Sequence, residues 1–346
     1  MTLTEPNSIE IDILIESEPT LCYDTVIIGG GVAGLSAAIY SARDGFKTLV
    51  LEGELVSSVD MPGGALLLTE NIENFPGFVQ GEGAELIGII REQAEMFGAE
   101  IVTERVTEID FSITPTTLHV IKTGNREYRT KSIILATGAV SRQLDVPGEG
   151  EYYGRGVSTC ATCDGFFFKN KTVAVVGGGD TAVEDALFLT RYAEKVYLLP
   201  RRSELRASGP EARAILEHPK VEILWETQVE EIVGEGNNVA GIIYTQNGIL
   251  KEMPLDGIFV AIGRDPATGY LRDSKVALDT DGYISTQDNS TKVLGDLPGV
   301  FAAGDCVDKV FKQAITSAGK AVEAALEARH YLLSPLPENL RRVPKF

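Results

Sequence analysis

Cys160 and Cys163 stand two residues apart in the stretch STCATCDGFF, residues 158–167, with Asp164 directly behind them. Such a pair is open to three chemistries: half of a zinc site, a structural staple, or a dithiol that closes and opens reversibly. Zinc asks for four ligands, yet there is no second CxxC, and His119, His218 and His330 show no ligand spacing. The four-residue loop suits a reversible disulfide, because it closes without large backbone change. Asp164 is placed to move protons during dithiol–disulfide interchange if its surroundings raise its pKa. Its plainer alternative is a helix cap or turn residue. Cys22 and Cys306 lie far from the pair in sequence and read as small packing residues.

A redox pair needs an electron source, and two glycine turns supply candidates. Tyr23-Asp-Thr-Val-Ile-Ile is an apolar, β-branched run, followed by Gly29, Gly31 and Gly34 in GxGxxG spacing and by LSAAIYSAR, a helix of small and apolar residues. LVLEG, 49–53, is the next buried strand, and its Glu52 falls 23 residues after Gly29, where an acid accepts hydrogen bonds from an adenosine ribose. The first glycine permits the tight turn, the second lets backbone approach a pyrophosphate, and the third brings helix close to strand. The grammar returns about 148 residues later: Thr172-Val-Ala-Val-Val, then Gly177 and Gly179 with Ala182, the helical VEDALFLTRYA, and the strand VYLL. At the ribose position this second unit offers Pro200 and the cations Arg201, Arg202 and Arg206 instead of an acid. Guanidinium groups fork onto a phosphate monoester, so NADPH is the natural ligand of this loop, the plainer alternative being a solvated basic loop in an otherwise acidic protein. Two dinucleotide sites and a dithiol describe an electron path from NADPH through a flavin to a disulfide, the flavin joining hydride transfer to thiol chemistry.

The elements that must hold these residues alternate between strand and helix. SIILATG (132–138), GIFVAIG (257–263) and GVFAAGD (299–305) read as strands; 83–98 and a long segment from about Gln313 to Leu332 read as helices. The fold class is therefore α/β, with two Rossmann-like dinucleotide-binding domains and parallel sheets. At 346 residues the chain has room for two cores. Its net charge of −19, from 50 acidic and 31 basic residues, argues against nucleic acid and anionic membrane as partners. No apolar run is long enough to span a bilayer. Residues 1–20 are an acidic extension without the basic start of an export signal, and sparse cysteines fit a reducing compartment, so a cytoplasmic protein is expected.

Taken in order, GGGVAG, ENFPGF at 73–78, CATCDG at 160–165, GGGDTA, RRSELRA and VFAAGDC resemble the low-molecular-weight thioredoxin reductases over about residues 21–333. The resemblance implies a homodimeric flavoprotein that reduces a thioredoxin-like protein disulfide. It implies FAD on Gly29, Gly31, Gly34 and Glu52 with the flavin ring near Asn74, and Asp305, Gln313 and Ala314 on the ribityl and phosphate side. Cys163 would face the flavin, Cys160 would attack the substrate, and Asp164 would be the acid–base residue. It further implies an FAD domain of 21–138 and 266–333, an NADPH domain of 139–265 inserted into it and able to rotate, and a tail of 334–346. Three features depart from the family pattern: Pro200 where histidine usually precedes the arginines, the N-terminal extension, and the tail ending in Lys345-Phe346. Proline removes a side-chain donor and a backbone N–H there. Such departures leave open relatives fed by ferredoxin or holding a second flavin in place of NADPH, a thiol oxidase, and a redox-sensing module with little turnover.

Overall fold

A computed structural model of the chain describes residues 21–55, 61–69 and 72–335. The N-terminal extension and all but the first two residues of the tail lie outside these.

The chain enters through β1 (Leu21–Ile28), α1 (Val32–Arg43) and β2 (Thr48–Leu51), passes α2 (Gly83–Met96), β3 (Glu100–Val102), β4 (Val106–Asp110) and β5 (His119–Thr123), and reaches β6 (Glu127–Leu135). These strands form one sheet in the order β3-β2-β1-β6-β5-β4, with its parallel part at β3, β2, β1 and β6. Ile27, Leu49, Ile133, Ile134 and Leu135 are fully buried, as the unbroken apolar runs of a two-sided parallel sheet demand. β7 (Ala139–Ser141) then leads out to β8 (Val157–Ser158), α3 (Ala161–Asp164), β9 (Thr172–Val176), α4 (Asp180–Leu189), β10 (Lys195–Leu199), α5 (Pro210–Leu216) and β11 (Val221–Ile223). A three-stranded antiparallel sheet follows, β12 (Thr227–Glu235), β13 (Asn238–Gln246) and β14 (Ile249–Pro254), before β15 (Gly257–Val260) closes a second parallel sheet ordered β11-β10-β9-β15-β8.

The return runs through β16 (Arg264–Pro266), which pairs antiparallel with β7. Arg142 grips Asp265 beside this ribbon, with its Nη2 2.7 Å from Oδ1. β17 (Val300–Ala302) rejoins the first sheet against Ile133–Leu135 of β6, and α6 (Ala314–Leu333) packs on α1. The contact between the two helices is made of alanines, Ala33, Ala37 and Ala38 facing Ala321, Ala324, Ala325 and Ala328. Small side chains let the two helices lie close over the first glycine turn.

The differences from the sequence reading are local. α1 begins at Val32 and α4 at Asp180, each three residues earlier than the apolar pattern suggests, because the last position of each glycine motif is already helical. α4 also stops at Leu189 rather than Ala193, where Ala193 N–H turns back onto the Leu189 carbonyl and buries its own methyl. Cys22 is not a packing residue: it is exposed. β2 pairs with β1 only from Thr25 onward, so the start of β1 is covered on one side alone. Cys306 is buried, as expected.

His119 has no role in the site but ties the first sheet together. Its Nδ1 accepts the Ser112 N–H at 3.1 Å and its Nε2 lies 2.9 Å from the Pro298 carbonyl, so the ring sits neutral. Burial pushes its pKa from 6.5 down to about 4. As pH falls below 6.5 the unfolded chain takes up a proton that the folded chain refuses. Stability should therefore drop between pH 6.5 and 4, by up to ~3 kcal/mol from this group. Urea unfolding across that range should show a steeper acid loss for the wild type than for His119→Gln. Equal slopes would remove His119 as the cause.

Candidate functional site

Cys160 and Cys163 form a disulfide with their Cα atoms 5.3 Å apart. Cys160 caps the one-turn helix α3, and its carbonyl accepts the Cys163 and Asp164 N–H groups at 3.2 and 3.1 Å. Asp164, at the helix end, receives the Ser158 hydroxyl on Oδ2 at 2.5 Å. Burial pushes its carboxyl pKa up, and the Ser158 hydrogen bond pulls part of that back. The condition set by the sequence reading, a carboxyl with raised pKa beside the pair, is present. The Cys160 sulfur also lies 3.5 Å from Thr162 Oγ1, which in turn accepts Gln313 Nε2 at 3.3 Å.

The disulfide opens onto a cavity of about 940 Å³. Of the residues singled out from the sequence, Gly29, Gly31, Glu52, Asn74, Cys160, Cys163, Asp164, Asp305, Gln313 and Ala314 all line it. Gly34 lies behind the wall, where a Cβ would meet the Gly29 carbonyl oxygen at 1.8 Å. Gly29 has φ +119°, and a Cβ on it would meet the Ala136 carbonyl oxygen at 2.1 Å. Gly31 is different. A Cβ there would come no nearer than 3.6 Å to any neighbour, the closest being Gly63, so packing does not call for glycine. It leaves room in the cavity at an α1 N-terminus that no side chain caps, where backbone N–H groups suit a diphosphate.

Glu52 is held from two sides, Oε2 by Arg91 of α2 at 2.5 Å and Oε1 by Thr103 at 2.6 Å. Its side chain is only 4% exposed, so the ion pair fixes an acceptor at that end of the cavity. Across the cavity Asp305 accepts the Ser317 hydroxyl at 2.9 Å and faces Arg264 Nη1 at 3.6 Å; burial raises its pKa against that pull. Asp185 on α4 is pushed up to about 6 by burial, offset by Arg264 and Lys312. Arg91, Thr103, Ser158, Thr162 and Arg264 were not foreseen, since nothing in their spacing marks them; sheet register and helix packing bring them in. These features fit FAD: a turn open to a diphosphate, an oriented ribose acceptor, and a disulfide on the same wall.

The second glycine turn lies elsewhere. Gly177, Gly179, Arg201, Arg202 and Arg206 do not line this cavity. Gly177 has φ +145°, and a Cβ on it would meet the Ala261 carbonyl oxygen at 2.5 Å. The arginine loop folds back on the turn through Arg206 N–H to the Gly178 carbonyl at 2.7 Å. That brings Arg206 Nη2 to 3.2 Å from where a Gly179 Cβ would stand. Arg201, Arg202 and Arg206 are all exposed, whereas Pro200 is buried, its ring packed towards Gly178 and its carbonyl taken by Thr227 N–H at 3.1 Å. The proline thus offers neither a side-chain donor nor a backbone N–H beside the second glycine turn.

Among the described residues no group of three His, Cys, Asp or Glu side chains stands close enough to hold a metal, and no helix is long and apolar enough to cross a membrane.

Two parallel dinucleotide folds and a disulfide on the wall of one of them define an oxidoreductase that exchanges electrons with a dithiol. Residues 23–325 match the family model described as pyridine nucleotide-disulphide oxidoreductase. The chain is 44% identical over 317 residues to thioredoxin reductase 1, mitochondrial, of Arabidopsis thaliana, covering 88% of this chain and 83% of that one. It is 46% identical over 313 residues to thioredoxin reductase of Schizosaccharomyces pombe, covering 89% and 96%. Among solved structures, thioredoxin reductase from Giardia duodenalis superposes with a TM-score of 0.84 at 36% identity, covering 91% and 100%. Thioredoxin reductase from Lactococcus lactis in its FR conformation gives 0.59 at 39% identity, covering 90% and 99%. This chain belongs to the pyridine nucleotide-disulphide oxidoreductases, in the low-molecular-weight thioredoxin reductase family. It is a flavoprotein disulfide oxidoreductase, and membership carries the use of FAD and NADPH. Nothing in these relatives supports the alternatives of ferredoxin or a second flavin in place of NADPH.

Proposed function

We propose that the protein takes electrons from NADPH and delivers them through the Cys160–Cys163 pair to the disulfide of a thioredoxin-like protein, working as a cytoplasmic homodimer. The observation that carries this reading is the disulfide on the wall of the cavity that Gly31 and Glu52 shape. FAD held there would supply the carrier that joins hydride transfer from a nicotinamide to thiol–disulfide chemistry. Gly29 and Gly31 would hold its diphosphate, with Gly34 behind them letting the turn pack closely, Glu52 would accept the ribose, and Asn74, Asp305, Gln313 and Ala314 line the path to the disulfide. Gly177 and Gly179 receive the NADPH diphosphate, with Arg201, Arg202 and Arg206 on its phosphate monoester. Reduction opens the Cys160–Cys163 bond. The Cys160 thiolate then attacks the substrate disulfide, forming a mixed disulfide and expelling one substrate thiolate, which takes a proton from Asp164. The Cys163 thiolate next attacks Cys160, re-forming the enzyme disulfide and releasing the second substrate sulfur.

Both cysteines are half-buried on the cavity wall, so a protein substrate reaches them only after a movement. The β7–β16 ribbon is the place for it. We read 21–138 with 266–333 as one domain and 139–265 as a second that turns on this ribbon. Sheet membership supports that division, since the second parallel sheet is built wholly between Val157 and Val260. The poorer superposition on the Lactococcus lactis structure, at slightly higher identity than the Giardia duodenalis one, supports more than one arrangement of the same parts.

The test is anaerobic addition of NADPH to FAD-loaded protein, followed by thioredoxin in its disulfide form. NADPH should bleach the flavin at least about tenfold more effectively than NADH, because each charge-assisted hydrogen bond to the phosphate contributes roughly 1.5 to 3 kcal/mol. Arg201→Ala with Arg202→Ala should erase the preference by weakening NADPH alone. A flavin that stays oxidised at millimolar NADPH would overturn the donor assignment.

A further inference from the structure

Ser158 ends β8, is buried, and bonds to two parts of the dithiol loop through one oxygen. Its Oγ accepts the Cys160 N–H at 3.0 Å and donates to Asp164 Oδ2 at 2.5 Å. A hydroxyl has one proton to give, and the competing acceptor, the Cys160 carbonyl, lies a full 3.5 Å away. The strand that carries Ser158 pairs with β15 of the second sheet, so the oxygen is anchored to a rigid element rather than to the loop itself. We propose that Ser158 is a positioning residue of the dithiol chemistry: its hydroxyl fixes the orientation of the Asp164 carboxyl and couples it to the backbone of Cys160.

Two consequences follow. The bond engages Oδ2 and so leaves Oδ1 as the atom that gives or takes the proton. It also favours the charged form of a carboxyl that burial otherwise drives toward neutrality. Among the charged and titratable groups, Tyr153 ahead of β8 interacts with Asp164, with Arg264 on β16 and Glu149 acting on the same phenol; Asp185 on α4 and Asp305 with Lys312 ahead of α6 interact with Arg264. Ser158→Ala leaves every one of these side chains in place, so a shift of the Asp164 limb is read as loss of that one donor.

The inference rests on Asp164 being the acid–base residue, and the experiment separates the two. Turnover of a protein disulfide by FAD-loaded enzyme is measured against pH for Asp164→Asn, Ser158→Ala, Ser158→Thr and the Ser158→Ala, Asp164→Asn double variant. Asp164→Asn should lose at least about tenfold. Wild-type turnover in that variant would remove Asp164 from the chemistry and the inference with it. Ser158→Ala should move the Asp164 limb of the profile to higher pH, because a carboxyl without its donor holds its proton longer. At a fixed pH on that limb the change should be about tenfold. Ser158→Thr keeps the donor and should keep the wild-type limb, and it serves as the reading if the alanine variant fails to load FAD. In the double variant Ser158→Ala should add nothing to Asp164→Asn. A uniform loss at every pH, or an equal loss on top of Asp164→Asn, would make Ser158 a structural residue only. A threonine variant shifted as far as alanine would overturn the proposal as well.

Discussion

Serine at Cys160 or Cys163 should each cut disulfide turnover on the order of a thousandfold or more, because either change removes one of the two sulfurs that must bond in turn. The spectra should tell the two apart. Cys160→Ser leaves the Cys163 sulfur alone on the cavity wall, and a thiolate beside a bound flavin gives a long-wavelength absorbance band. Cys163→Ser should show little of it. Half-burial is similar for both cysteines, so exposure does not rank them, and this pair of variants decides which sulfur is inner. Cys306→Ser supplies the control. Its thiol is fully buried, pushed up to about 11, and donates to the Ala303 carbonyl at 3.3 Å, so most turnover should survive. Equal bands in the two active-site variants would reverse or cancel the assignment of roles.

Gly29→Ala should strip the protein of FAD. The new methyl would sit 2.1 Å from the Ala136 carbonyl oxygen and 2.6 Å from its carbon, both backbone atoms at the end of β6. Neither end can yield, since Gly29 N–H bonds the Leu51 carbonyl at 2.8 Å and Ala136 N–H bonds Ile28 at the same distance. Backbone strain at positive φ adds roughly 1 to 3 kcal/mol, and the overlap a similar amount. Gly31→Ala makes the useful contrast. Its methyl would meet Gly63 and Gly64 only at ordinary van der Waals distance, 3.6 Å and beyond, so the apoprotein should melt as the wild type does while FAD affinity falls by about tenfold or more. Fluorescence titration of apoprotein with FAD, beside a melting curve without it, reads both effects. A Gly29→Ala protein that binds FAD as tightly as wild type would mean that the cavity is not the FAD site.

The sequence showed the parts of the path far better than their joints. Both glycine turns were legible because their conformations admit no other residue at Gly29 and Gly177, and β-branched runs bounded by glycine mark buried strands. The dithiol was legible from its spacing together with the want of further zinc ligands and the two glycine turns beside it. What stayed hidden was whatever depends on register. Arg91 and Thr103 meet Glu52 only because β2 pairs with β3 and α2 packs against α1, and neither adjacency leaves a mark in the local pattern. The β7–β16 ribbon was invisible for a similar reason: three-residue strands carry no periodicity. Cys22 misled because its neighbours are apolar while the strand end it occupies is uncovered.

The way β17 returns to the first sheet bears on how the chain is made. Everything from β7 to β16 must leave the ribosome before Val300–Ala302 can pair with Ile133–Leu135. The second parallel sheet is contiguous in sequence and can close early. The first cannot, because its last strand and the α6 alanines that cover α1 come at the end of synthesis. Until then β6 presents an unpaired edge of Ile133, Ile134 and Leu135, residues that are fully buried in the finished protein. A bare apolar edge is a template for pairing with another chain. Stalled or truncated chains that end before Val300 should therefore aggregate through β6, even though their second sheet is whole.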